Sequence, residues 1–110
     1  MTVEQDDVLR HRLLREVVRH FSEFQELCSH SGDWEIEHRG IRINFLDLQN
    51  AFKDLSPRKK EAIKWNVVYD KKQIEVAEIM GITTVSVGQY VEAGMAQVAA
   101  RVFSELPAIE

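Results

Sequence analysis

The stretch Gln73-Ile-Glu-Val-Ala77-Glu-Ile-Met-Gly81-Ile-Thr83-Thr-Val-Ser-Val-Gly88-Gln-Tyr90 decides how this chain folds. Ile74, Ala77, Ile79 and Met80 fall at helical spacing, Gly81 stops that helix, and Thr83 starts another. A sharp turn between two helices wants a residue that reaches positive φ without a Cβ penalty, and Gly81 supplies it. Ala77, one turn earlier, is small enough to let the second helix cross close to the first. Val76, Met80, Ile82, Val87 and Tyr90 then fill the space between the helices, while the Thr83 hydroxyl accepts from a free backbone N–H one turn on. The pattern is that of a helix-turn-helix.

The second helix is expected from Thr84 to Leu106, with Pro107 as its stop and Val91, Met95, Val98 and Val102 as its inward stripe. A helix of that length exceeds what a compact helix-turn-helix needs, so it is expected to pack back on the N-terminal helix, with pairing to another subunit as the alternative. Upstream, Ser56 is a good N-cap and Pro57 suits the first helical position, where its missing N–H costs nothing. The helix that follows runs to about Tyr69, burying Ala62, Ile63, Val67 and either Trp65 or Asn66, with Arg58, Lys59, Lys60 and Lys64 outside. Leu46 to Leu55 reads as a short helix with Leu48, Ala51, Phe52 and Leu55 inward.

The N-terminal part reads differently. Residues 8–28 carry Leu9, Leu13, Leu14, Val17, Phe21, Phe24, Leu27 and Cys28 on one stripe, which predicts a single long amphipathic helix. Ser29-His-Ser-Gly-Asp33 is a loop by composition. In Trp34-Glu-Ile-Glu-His-Arg-Gly-Ile-Arg-Ile-Asn-Phe45, a two-residue turn at Arg39-Gly40 sets Glu37 opposite Arg42, Ile36 opposite Ile43 and Trp34 opposite Phe45. One register therefore gives an opposite-charge pair outside and an apolar ladder inside, which predicts a β-hairpin packed on the first helix. The expected architecture is a mainly α, helix-turn-helix bundle with a long N-terminal helix and a small β-hairpin. It forms one domain over residues 1–110, with residues 1–45 as helix and hairpin and 46–106 as the helix-turn-helix part.

Length and composition set the bounds. One hundred and ten residues suffice for one core, and 45% hydrophobic with 29% charged residues is ordinary for a globular chain. No apolar run approaches the roughly 20 residues of a membrane span, and the acidic N-terminus is not a secretory signal. A cytoplasmic location is expected, and the single Cys28 agrees, since it reads as a buried structural thiol. The net charge of −4 is unevenly placed. Residues 1–55 hold seven Lys or Arg against eleven Asp or Glu, whereas residues 56–101 hold seven against five. One face for phosphate and another for a protein fits that asymmetry. His11, His20, His30, His38 and Cys28 share no metal-ligand spacing, and no glycine-rich phosphate loop or assembled nucleophile is visible, so neither an enzyme nor a cofactor is expected.

Leu55-Ser-Pro-Arg-Lys-Lys-Glu-Ala-Ile63, then Ile74-Glu-Val-Ala-Glu-Ile-Met-Gly-Ile-Thr83 and Thr84-Val-Ser-Val87, resembles region 4, the C-terminal DNA-binding region of bacterial sigma factors and of short phage and prophage sigma-like regulators. The resemblance covers residues 45–100 and implies a transcription regulator that binds double-stranded DNA and works beside RNA polymerase. In a major groove the second helix would offer Thr83, Thr84, Val85, Gly88, Gln89 and Glu92. Gln89 suits adenine, Thr84 or Val85 the thymine methyl, and Ser86 a phosphate. Thr84 to Glu92 contains neither arginine nor lysine, so phosphate contact is expected from Arg58, Lys59, Lys60, Lys71 and Lys72. Two further readings stand beside this one. A small terminase-like subunit for viral DNA packaging also uses a helix-turn-helix and works as a homo-oligomer, and a degenerate helix-turn-helix serves protein contact alone.

Overall fold

A computed structural model of the chain describes residues 3–103. Its elements are α1 (Val3–Arg19), α2 (Phe21–Ser31), β1 (Glu35–His38), β2 (Ile41–Asn44), α3 (Phe45–Lys53), α4 (Pro57–Ile63), a π turn (Lys64–Val68), α5 (Gln73–Met80) and α6 (Thr84–Val102). The architecture is mainly helical with one small antiparallel hairpin. Among the described residues, no helix is long and apolar enough to cross a membrane.

The expected single N-terminal helix is two. His20 leaves helical geometry at φ −105° and ψ 34°, its N–H shared between the carbonyls of Glu16 (3.3 Å) and Val17 (3.1 Å). No glycine or proline marks the break, and its reason lies in packing. Leu14, Val17 and Val18 are buried in the core, whereas Phe21 turns to the rings of Phe45 (4.9 Å) and Phe52 (5.7 Å), and Phe24 to the His38 ring (5.9 Å). A straight helix over residues 8–28 would run about 31 Å, and one face cannot serve both sets of partners. The break also exposes Leu9 and Leu27, which the stripe had placed inward. Gly32, at φ 77°, closes α2 by donating its N–H to the Cys28 carbonyl (2.9 Å).

The hairpin has the expected register, with Ile36 opposite Ile43 and Glu37 opposite Arg42. Arg39 (φ 51°) and Gly40 (φ 94°) both adopt positive φ, the twist that suits a two-residue hairpin turn. Trp34 and Phe45 lie just beyond the strands. Their rings stack at 6.4 Å, and the Phe45 N–H donates to the Trp34 carbonyl at 2.7 Å. The hairpin docks on α1 through Glu16, whose carboxylate lies 2.8 Å from His38 Nε2 and accepts from Arg39 Nη1 at 3.1 and 3.2 Å.

These partners hold the Glu16 carboxyl below its ordinary value of 4.5, chiefly through the His38 hydrogen bond and next through Arg39, against the opposing effect of burial. A carboxylate with a lowered folded-state pKa stabilises the fold fully above the unfolded value and loses that contribution as pH falls through the folded one. The urea midpoint of the wild type is therefore expected to decline as pH drops below about 4.5, more steeply than that of Glu16→Gln. Identical pH profiles for the two proteins would refute this role for Glu16.

α6 is the central helix, against which α4, α3, α5 and α1 all pack. It does pack back on the N-terminal helix, as expected, but α4 and α3 cover more of it than α1 does. Val91, Met95, Val98 and Ala99 are buried along it, with Val102 partly so. At Gly94 an added Cβ would lie 2.7 Å from Ile63 Cδ1 and 3.4 Å from Lys59 Cβ, so glycine sets the close α4–α6 approach. Its expected continuation to Leu106 and the stop at Pro107 fall outside the described residues. Arg101 pairs with Asp54 at the end of α3.

The helix expected from Pro57 to Tyr69 begins as foreseen, with the Ser56 hydroxyl accepting from the Lys59 N–H at 3.4 Å. It then widens. Tyr69 N–H reaches back to the Lys64 carbonyl (3.0 Å), and Lys71 N–H to the Trp65 carbonyl (2.9 Å), through a left-handed Asp70 at φ 56°. Both members of the Trp65 or Asn66 alternative are only partly buried. Asn66 Nδ2 donates to the Lys71 carbonyl at 2.8 Å, tying the turn to the start of α5.

Candidate nucleic-acid interface

Local chemistry builds the α5–turn–α6 unit as the sequence requires. Gly81 is left-handed at φ 68°, and its N–H donates to the Ala77 carbonyl. Val76 and Val87 are fully buried between the helices, Ala77 nearly so, with Met80, Ile82 and Tyr90 packed around them. Thr83 Oγ1 accepts from the Ser86 N–H (3.0 Å) and donates to Ser86 Oγ (2.9 Å), which fixes the first turn of α6. Lys72 N–H donates to Glu75 Oε1 at 3.0 Å and so starts α5. Ile74 and Ile79, which fall at helical spacing with Ala77 and Met80, are 62% and 46% exposed.

The expected base-reading residues separate on this scaffold. Thr84, Val85 and Gln89 are exposed on α6. Ser86 is half-buried and its hydroxyl belongs to the cap, which removes it from the outward set. Gly88, expected to face outward, meets α5 instead, where an added Cβ would lie 3.3 Å from Gln73 Oε1. At 100° per residue, Val85, Gln89, Ala93 and Ala96 line one exposed strip of α6.

The basic residues flank that strip on two sides. On one side, Lys59 Nζ donates to Gln97 Oε1 at 3.1 Å, with Arg58 and Lys60 exposed beside it at the start of α4. On the other, Lys71 and Lys72 enter α5, whose first residue Gln73 borders Gly88. The five cations predicted to contact phosphate therefore form two edges, not one cluster.

The sequence gives no hint of a third contribution. α1 carries Arg12 and Arg15 to the α5 edge, where they line a cleft of about 350 Å³ with Gln73, Gly88 and Glu92. Arg15 Nη2 donates to Asn66 Oδ1 (3.2 Å), and Arg19 pairs with Asp70 (2.6 Å), so α1 is fastened to the π turn and to the segment that leads from it into α5. Off the apolar stripe of α1 these arginines read as an ordinary solvated face, and only the tertiary fold brings them next to α6. Cys28 has no part in this surface. Burial, and to a smaller extent Asp33, pushes its thiol up, which keeps it neutral. No protein-family model, no curated protein sequence and no solved structure matches the chain.

Proposed function

We propose that the chain is a double-stranded DNA-binding transcription regulator of the sigma region 4 type, acting in the cytoplasm beside RNA polymerase. One observation carries the reading: the capped α6 leaves Thr84, Val85 and Gln89 uncovered, between edges that supply Arg58, Lys60, Lys71 and Lys72. A helix with side chains is about 10–12 Å across, which matches the roughly 12 Å width of the major groove. In that groove α6 reads bases with neutral side chains while its flanks meet phosphate. The arrangement supports modest affinity and leaves stronger binding to dimerisation or a partner.

The test is selection of fragments from a randomised pool by the purified chain at about 50 and about 200 mM salt, since phosphate contacts weaken steeply over that interval. Enrichment of a common sequence is the expected result, and none at either salt would overturn the reading. On the selected site Gln89→Ala is expected to cost about 1–3 kcal/mol, while binding to random DNA stays unchanged. Equal losses on both DNAs would remove Gln89 from base reading.

A second reading has its own support. Ile74 and Ile79 lie exposed with Glu75 and Glu78 on α5, and Val85 is 70% exposed at the start of α6. Exposed apolar groups among acids favour a protein contact. RNA polymerase, or another copy of this chain in a packaging ring, fits that surface, and oligomeric state by light scattering separates the two.

A further inference from the structure

We propose that α1 is part of the DNA interface, with Arg12 and Arg15 binding backbone phosphates on the strand opposite the one met by Arg58, Lys59 and Lys60. The inference rests on the DNA-binding reading above and extends it to a helix outside the helix-turn-helix. α6 faces α1 and α5 across the cleft with Gly88, Glu92 and Met95, and meets α4 through Gly94 and Gln97. At 100° per residue these two sets lie on either side of the exposed strip that holds Val85 and Gln89. A helix seated in a major groove has a phosphate strand along each flank. The α4 edge serves one strand, and α1 with Lys71 and Lys72 serves the other.

The chemistry of the cleft fits a phosphodiester. Arg12 has no hydrogen bond or ion pair among the described residues, and Arg15 commits one N–H to Asn66, which leaves most of its donors available. Guanidinium groups grip phosphate oxygens in pairs, a geometry lysine does not offer. Gly88 keeps the cleft open, because a side chain there would press on Gln73. Glu92 lines the same cleft and opposes the anion. It tempers the affinity that the two arginines confer.

The full chain is titrated into a fluorescent duplex of random sequence over about 50–300 mM salt, comparing wild type with Arg12→Gln, Arg12→Lys and Glu92→Gln. Loss of one phosphate contact predicts a log–log salt slope flatter by about 0.9 for Arg12→Gln, with affinity about 8-fold lower near 0.1 M salt. Arg12→Lys restores the slope. Glu92→Gln tightens binding several-fold, a gain that misfolding does not produce. If wild type binds and Arg12→Gln keeps its slope, α1 lies off the DNA while the DNA-binding reading stands. If wild type fails to bind even at about 50 mM salt, the inference falls together with that reading.

Discussion

Replacing Phe45 by alanine is expected to remove about 3–5 kcal/mol of stability, the largest loss of any single truncation in this fold. The side chain is fully buried in the first turn of α3, against Phe21 of α2 and Trp34 before the hairpin. Alanine leaves a cavity that those rings fill only in part, and the lost ring contacts add to the lost transfer free energy. The Phe45 N–H to Trp34 carbonyl bond survives the substitution, so the loss reports packing alone. Against a total stability of about 5–15 kcal/mol, the urea midpoint should fall by about a fifth or more with an unchanged m value. A loss under about 1.5 kcal/mol would show that the site collapses around the gap and that the hairpin is not anchored at Phe45.

The second large effect concerns binding. Lys59→Gln with Lys60→Gln is expected to flatten the salt slope by about 1.8 and to lower affinity on the order of 60-fold near 0.1 M salt, for any DNA sequence. Two neutralised cations account for both figures if each meets one phosphate. Lys59 is the more demanding case, since its ammonium already donates to Gln97. An ammonium has three donors, so two remain for phosphate. Fluorescence anisotropy across a salt series measures slope and affinity together, and a slope equal to that of the wild type would take the α4 edge off the DNA. Thermal unfolding should change by no more than about 1–2 kcal/mol. Exposed Lys60 contributes only a few tenths through propensity, and half-buried Lys59 loses one side-chain hydrogen bond to Gln97 while glutamine keeps most of its stem.

The elements with strong local chemistry were legible in the sequence. Gly81 and Thr83 specified the turn and cap of the helix-turn-helix, Ser56-Pro57 the start of α4, and the Glu37 and Arg42 positions the hairpin register. What stayed hidden was decided by partners distant along the chain. Nothing near His20 signals a break, because Phe21 and Phe24 bend the chain toward Phe45 and His38. The π turn is likewise silent, since Lys64-Trp-Asn-Val-Val68 has no residue that forbids regular helix. Of the candidate site, the outward positions Thr84, Val85 and Gln89 follow from helical spacing alone. The inward pull on Ser86 and Gly88 depends on the cap and on Gln73. Arg12 was the hardest to foresee, because its place beside Gly88 arises only when α1 docks across the bundle.

The π turn has a consequence for how this sequence can vary in length. A π turn is an α-helix that has absorbed one additional residue, and here it sits between α4 and the α5–α6 pair. Removing one residue from Lys64–Val68 would restore regular winding and turn the point where the chain leaves this helix toward α5 by about 100° relative to α4. Asn66 would lose its bond to the Lys71 carbonyl, and the two basic edges would no longer bracket the same strip of α6. Their alignment is therefore encoded by the number of residues in this segment. Scanning it with alanine would leave that number intact, and only a one-residue deletion would reveal it.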